Sequence, residues 1–246
     1  MSEALPGMPP PPPVAATRPA SVVVPYRRTP EGVEVFWVRR EKALAFAGGF
    51  YAFPGGKVDK TDALVPVRGA SGQEAALRVA AARELLEEAG VLVAEGAWRL
   101  SPDEVREARR ALLEKRSTWS ELLQRHGLVL RAEDFPDAGR WVTPEFAPVR
   151  FDTFFYLVEM PEHAQAEWWP GELSEAAWVK PAEALARIDT VAYVRFALDR
   201  PGAGSHGVEG RAQHVGDGDA ATEGGDLDPA AQFGRHVDSE PGREPG

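Results

Sequence analysis

Residues Ser71 to Val91 read SGQEAALRVAAARELLEEAGV. This stretch predicts one long helix from Ser71 to Ala89, with Gly90 as the C-terminal stop. Ser71 followed by Glu74 has the pattern of a capping box. At roughly 100° per residue, Ala75, Val79, Ala82, Leu86 and Ala89 form one apolar stripe, the face expected to meet the core. Glu84, Glu87 and Glu88, related by i, i+3 and i+4, gather on the opposite face. Such a cluster is locally unfavourable, because like charges repel at those spacings and carboxylates in a last turn oppose the helix dipole. A hard divalent cation, which takes carboxylate oxygens and shares its other positions with water and phosphate, is a natural compensation. Glutamate pairs on an exposed helix are also commonly just solvated, so the trio alone leaves both readings open.

Upstream, Ser21 to Tyr26 and Val33 to Val38 are β-branched and aromatic runs flanking Thr29-Pro30-Glu31-Gly32, a predicted hairpin. A turn at Gly48-Gly49 leads to a short strand, Phe50 to Phe53, that ends in Pro54-Gly55-Gly56. There the backbone can approach a ligand closely. Downstream, Pro102 to Arg116 and Thr118 to Arg125 predict two charged helices. Trp141 to Thr143, Phe151 to Val158 and Ala176 to Val179 predict strands, and Pro181 to Arg187 a short helix with proline in its first turn. Strands interleaved with helices imply an α/β or α+β fold, a sheet covered by helices.

The ends differ from the middle. Residues 1–19 hold seven of the 22 prolines, and residues 201–246 hold eleven of the 24 glycines with few large apolar side chains. Both are expected to be disordered tails, 1–19 and 196–246, around one domain over 20–195. A net charge of −10 argues against a partner held mainly through nucleic-acid phosphates. With no cysteine there is no disulfide, thiolate metal site or cysteine nucleophile. Neither a signal peptide nor a run of about 18 apolar residues stands out, so a cytoplasmic protein without a membrane span is expected.

Arg83-Glu84-Leu85-Leu86-Glu87-Glu88-Ala89-Gly90-Val91 resembles the second half of the Nudix box, and Gly55-Gly56 matches the glycine pair that opens it. One departure is plain. The box acid expected six residues after the second glycine falls on Asp62, yet counted back eight from Arg83 it falls on Ala75, thirteen residues away. The box therefore carries an insertion at about 63–75, and the displaced acid is Asp62 or Asp59, with Glu74 as rival. Residues 20 to 187, including Phe50 to Asp59, the helical insert 101–126, Trp141 to Pro144 and Arg150 to Phe155, look like the long-insert Nudix branch. Its best-known members are peroxisomal coenzyme A diphosphatases. The resemblance implies a Nudix-type α/β/α sandwich around a mixed sheet and hydrolysis of a nucleoside diphosphate linked to another moiety. It implies Mg²⁺ or Mn²⁺ held by Glu84, Glu87 and Glu88, which are then the catalytic and metal residues. The upstream coenzyme A motif is met at Arg40, Gly49, Phe53, Pro54, Gly55 and Gly56, but a second expected arginine is Ala45.

Glu172, in a stretch like the late Nudix segment where an acid precedes a strand tryptophan, is either an extra ligand or general base or a surface glutamate. Gly55, Gly56 and Lys57 are placed to orient phosphate, Lys57 equally being a solvated loop residue. Arg83 reads as structural, pairing with a neighbouring carboxylate. Arg39 and Arg40 reach substrate or are ordinary strand arginines, and Trp168 and Trp169 stack on an adenine or pack in a loop. His126 and His163 have no spaced partners for a zinc site. A non-catalytic nucleotide sensor on the same fold, or a hydrolase of ADP-ribose or dinucleotides, are the alternative functions, and the oligomeric state is left open. A phosphorolytic or kinase reading is poor, since the sequence has no Walker-type or Gly-x-Gly-x-x-Gly loop.

Overall fold

In a computed structural model, residues 14–43, 48–168 and 173–187 are described. The predicted hairpin forms as β1 (Thr17–Thr29) and β2 (Gly32–Arg40), turning at Pro30-Glu31. β1 begins at Thr17, paired with Arg150, so the last three residues of the stretch read as an arm already belong to the sheet. Further strands are β3 (Tyr51–Ala52), β4 (Gly55–Lys57), β5 (Val67–Arg68), β6 (Leu130–Arg131), β7 (Asp137–Val142), β8 (Arg150–Glu159) and β9 (Leu173–Val179). The helices are α1 (Gly72–Ala89), α2 (Pro102–Leu113), α3 (Trp119–His126) and α4 (Pro181–Ala186).

The main sheet is mixed. β8 runs parallel to β1 and antiparallel to the edge strand β7, while β9 pairs antiparallel with β2. β1 and β2 pair directly only near their hairpin, from Tyr26 to Thr29 against Gly32 to Val35. Farther along, β1 pairs with β4 at Ala20 to Val22 and β2 with β3 at Val38 and Arg39. The segment Tyr51 to Lys57 is thus wedged between the two strands, and this wedge carries the glycine pair into the sheet.

Side chains on successive strand residues point to opposite faces, and each face has its own core. Val23, Phe36, Val38, Tyr156 and Val158 pack with α1 and with residues of α2 and α3, including Ala108, Trp119 and Leu122. Val22, Val24, Val35, Trp37, Tyr51, Phe53 and Phe155 pack with Ala184 of α4. This is the α/β/α sandwich expected from the sequence. All five residues of the predicted α1 stripe are buried, and so are Ala76, Leu77, Arg78, Ala80, Ala81 and Leu85. A single stripe understates the burial because α1 lies between the sheet and the helical insert.

One local expectation is corrected. Ser71 is the N-cap residue of α1, but its side chain accepts no capping bond. Gly72 enters the helix at φ +57, and Glu74 pairs instead with Arg78 at 2.9 Å. Complete capping boxes form at α2, Ser101 with Glu104, and at α3, Thr118 with Glu121. The box insertion, for which the sequence gives only a position, is structured: Val67 and Arg68 pair in parallel with Leu130 and Arg131, and Val65 and Val67 join the core. No helix among the described residues is long and apolar enough to cross a membrane.

Candidate active site

The site is built where the wedge meets α1. Gly55 lies so close to β1 that a Cβ there would stand 2.5 Å from Ser21 O and 2.8 Å from Val22 Cα. Its N–H donates to Glu88 Oε2 at 3.2 Å. Gly56 faces the helix, and a Cβ there would stand 2.6 Å from Glu84 Cδ. The glycine pair is therefore needed twice, for backbone packing at Gly55 and for the Glu84 carboxylate at Gly56. Ser21 fastens the same region, its hydroxyl donating to Leu77 O of α1 at 2.7 Å.

Arg83 is the hub. Its Nε and Nη2 donate to Asp62 Oδ1 and Oδ2 at 3.1 and 3.2 Å, and Nη2 also reaches Lys57 O at 3.0 Å. Its Nη1 donates to Glu84 Oε1 at 2.8 Å and to Glu87 Oε2 at 3.3 Å. Burial alone would ease the guanidinium's proton off, but Asp62, Glu84 and Glu87 outweigh it and hold the charge more firmly than usual. The structural role expected for Arg83 is what its contacts describe. Asp62, at 1 % exposure, is the acid that meets it; Asp59 is solvent-facing with Oδ2 4.0 Å away. Glu74 is engaged on Arg78.

The carboxylates sit deeper than helical periodicity suggests: the Glu84 and Glu87 side chains are only 14 % and 23 % exposed. Burial, helped by the charges of Glu87 and Asp62 and opposed by Arg83, pushes the Glu84 carboxyl up to about 7. Burial raises Glu87 as well, again against Arg83. Among the described residues no three acidic or histidine side chains stand together as a metal-binding group. Glu84 and Glu87 turn to Arg83, and Glu88 bonds to the Gly55 N–H. The donor chemistry nevertheless fits a hard cation, since desolvated carboxylate oxygens outnumber the cations among them.

The remaining candidates are more scattered. Lys57 contributes its carbonyl to Arg83, and its residue is exposed. Arg40 ends β2, its backbone bonded to Gly49 and Phe50. Arg39 donates to Gly49 O at 3.0 Å and to Glu175 at 3.3 Å, a committed strand arginine. Tyr51 Oη also donates to Glu175, a carboxylate passed over in the sequence. Glu172, Ala45 and Trp169 lie outside the described residues; Trp168 is 37 % exposed. Sequence reading also missed Arg109 of α2, whose guanidinium reaches the carbonyls of Leu86 and Glu87. The available signal was its place beside Val105, Ala108 and Leu112 on the inward stripe of α2.

The sequence matches the NUDT19 Nudix domain family over residues 66–192. It is 30% identical over 169 residues to nudix hydrolase 7 of Caenorhabditis elegans, covering 68% of this chain and 52% of that protein. The chain thus spans about half the length of that relative. A crystal structure of a Nudix hydrolase from Alicyclobacillus acidocaldarius is 30% identical and superposes with a TM-score of 0.59, covering 74% of this chain and 91% of the other. The chain belongs to the Nudix hydrolase family.

Proposed function

We propose that this protein is a pyrophosphohydrolase, dependent on Mg²⁺ or Mn²⁺, that cleaves a nucleoside diphosphate linked to another moiety, with coenzyme A or an acyl-coenzyme A as the substrate class. The observation that carries the reading is the packing of Glu84 and Glu88 against Gly56 and Gly55, with Arg83 drawing Glu84, Glu87 and Asp62 together. When bound, the cation would be held by Glu84, Glu87 and Glu88 and would supply charge neutralisation and activation of water. The chain's own part is to keep three carboxylates half-buried at fixed positions. Arg83 and Asp62 do this by locking the helix to the loop before α1. The Gly55-Gly56 backbone and the Lys57 ammonium lie in one short segment, β4, beside those carboxylates, and would orient phosphate oxygens there. Catalysis of phosphoryl chemistry rests mainly on such fixed charge and position.

The coenzyme A assignment rests on Arg40 and the run from Gly49 to Gly56, together with the match to the NUDT19 Nudix domain family. Ala45 leaves one expected cation missing, and that favours ADP-ribose or a dinucleotide as the second reading. The test is a panel of coenzyme A, acyl-coenzyme A, ADP-ribose and dinucleotides with Mg²⁺ or Mn²⁺, the products identified by mass. Coenzyme A compounds should yield adenosine 3′,5′-bisphosphate and a 4′-phosphopantetheine product. A kcat/KM for ADP-ribose or a dinucleotide at least about tenfold higher, roughly 1.4 kcal/mol of transition-state preference, rejects coenzyme A but keeps the hydrolase. Glu88→Gln should lower turnover about 100-fold while the protein stays folded. No metal-dependent turnover of any substrate would leave a nucleotide sensor as the reading.

A further inference from the structure

The C-terminal turn of α1, which carries Glu87 and Glu88, is held from outside the box by two other parts of the chain. A helix end leaves its last carbonyls without intrahelical donors, and carboxylates there add to the negative end of the dipole. Gly90, at φ +69, turns its own N–H back on Leu85 and Leu86. Arg109 of α2 then donates from Nε to Leu86 O at 3.2 Å and Glu87 O at 2.9 Å, and from Nη2 to Glu87 O at 2.5 Å. The N–H of Glu167 covers Ala89 O at 2.9 Å. Arg106, one turn before Arg109, binds the Glu167 carboxylate at 3.0 and 3.3 Å. α2 and the segment after β8 are thereby tied to each other as well as to the helix end.

We infer that Arg109 is a positioning residue for the carboxylate turn, and that Arg106 with Glu167 completes a clasp through which the helical insert sets how well Glu84, Glu87 and Glu88 hold a divalent cation. The inference rests on the metal reading above. Its chemistry is specific. A planar guanidinium brings several donors and a positive charge to two adjacent carbonyls at once, whereas a lysine at the same place offers one compact ammonium. Because Arg109 bonds the backbone of Glu87, its loss frees the turn to reorient without removing any carboxylate. It also removes a positive charge that offsets the repulsion among the three glutamates. Outer partners of metal-binding side chains characteristically act in this way.

The test measures Mn²⁺ binding directly, by the electron paramagnetic resonance of free Mn²⁺, alongside the Mg²⁺ dependence of hydrolysis. Arg109→Met should weaken Mn²⁺ binding about tenfold and raise the Mg²⁺ concentration for half activation similarly, with KM for substrate at saturating metal within about twofold of wild type. Arg109→Lys should recover part of the loss. Arg110→Gln, which alters only an exposed pair with Glu107, should behave as wild type. If Arg109→Met fails to fold, Arg106→Gln is the working variant, with a smaller shift in the same direction. A folded Arg109→Met or Arg106→Gln protein with unchanged Mn²⁺ binding, in a series where Glu84→Gln weakens it, overturns the clasp and spares the proposed function. A wild-type protein that neither binds Mn²⁺ nor shows Mg²⁺-dependent hydrolysis overturns both.

Discussion

The two adjacent glycines should fail in opposite ways when each is given one methyl group. At Gly55 the added Cβ would lie 2.5 Å from Ser21 O and 2.8 Å from Val22 Cα, both backbone atoms of the central strand, so relief requires moving β1 or β4. Overpacking of that kind costs about 1–3 kcal/mol or more, and at about 2–4 °C per kcal/mol for a domain of this size the upper figure is roughly 6–12 °C in Tm. At Gly56 the added Cβ meets only the tip of the Glu84 side chain, 2.6 Å from Cδ and 3.0 Å from Oε2. A glutamate can swing away. It loses a charged hydrogen bond to Arg83 but regains hydration, and the alanine restricts the unfolded chain by about 0.4–1 kcal/mol. The net stability change for Gly56→Ala should therefore stay within about 1 kcal/mol. Activity should fall about 100-fold, the usual result of displacing a reacting group by about 1 Å. Differential scanning fluorimetry gives the first quantity and product formation at saturating metal the second. The reasoning is refuted if Gly56→Ala keeps wild-type turnover, or if Gly55→Ala melts with the wild type.

Stability in a chelator should fall with rising pH: the Glu84 carboxyl is pushed from 4.5 to about 7 by burial. A group raised on folding stabilises below its unfolded value and withdraws that contribution as pH climbs through the folded one. The loss between about pH 4.5 and 7 is at most about 3 kcal/mol; Glu84→Gln should flatten the profile, and a flat wild-type curve rejects the burial account. Asp62→Asn should cost about 2–3 kcal/mol by stripping a buried arginine of its two-pronged partner while Glu84 and Glu87 remain, whereas Glu74→Gln, on an exposed pair member, should cost under about 1 kcal/mol; urea titration ranks them, and equal losses would contradict the Arg83–Asp62 assignment. Trp119 is buried with no hydrogen-bond partner for Nε1 among the described residues. Trp119→Phe, which removes an unsatisfied donor worth about 1–3 kcal/mol, should thus cost much less than the roughly 3–5 kcal/mol of Trp119→Ala, and equal losses in denaturant would mean the indole N–H is satisfied.

What was legible in the sequence followed from local periodicity and punctuation. The apolar spacing and Gly90 define α1, and the β-branched runs around Pro30 define the hairpin, because each signal is complete within about twenty residues. The capping box at Ser71 was misread: the Ser-x-x-Glu pattern is necessary but not sufficient, and the left-handed Gly72 takes the chain into the helix without that bond. The same pattern did form its boxes at Ser101 and Thr118. β5 was illegible because two residues carry no period and their partners, Leu130 and Arg131, lie some sixty positions away. The depth of Glu84 was illegible for a similar reason. Periodicity separates it from the core stripe, but only the wedge of Tyr51 to Lys57 between β1 and β2 closes over it.

Three glutamates in the last turns of α1 run against local helix rules, and the fold answers from two directions. Asp62 holds Arg83 in a buried, two-pronged pair, and the same guanidinium bonds Glu84 and Glu87. Arg109 then sets one positive charge on the carbonyl side of the same turn. A helix designed for stability alone would have placed lysine or arginine in this turn. The sequence keeps glutamates there and imports its cations from residue 83 on the helix flank and residue 109 on a separate helix. The carboxylate face stays intact, and the cost of holding it is met by packing elsewhere in the chain.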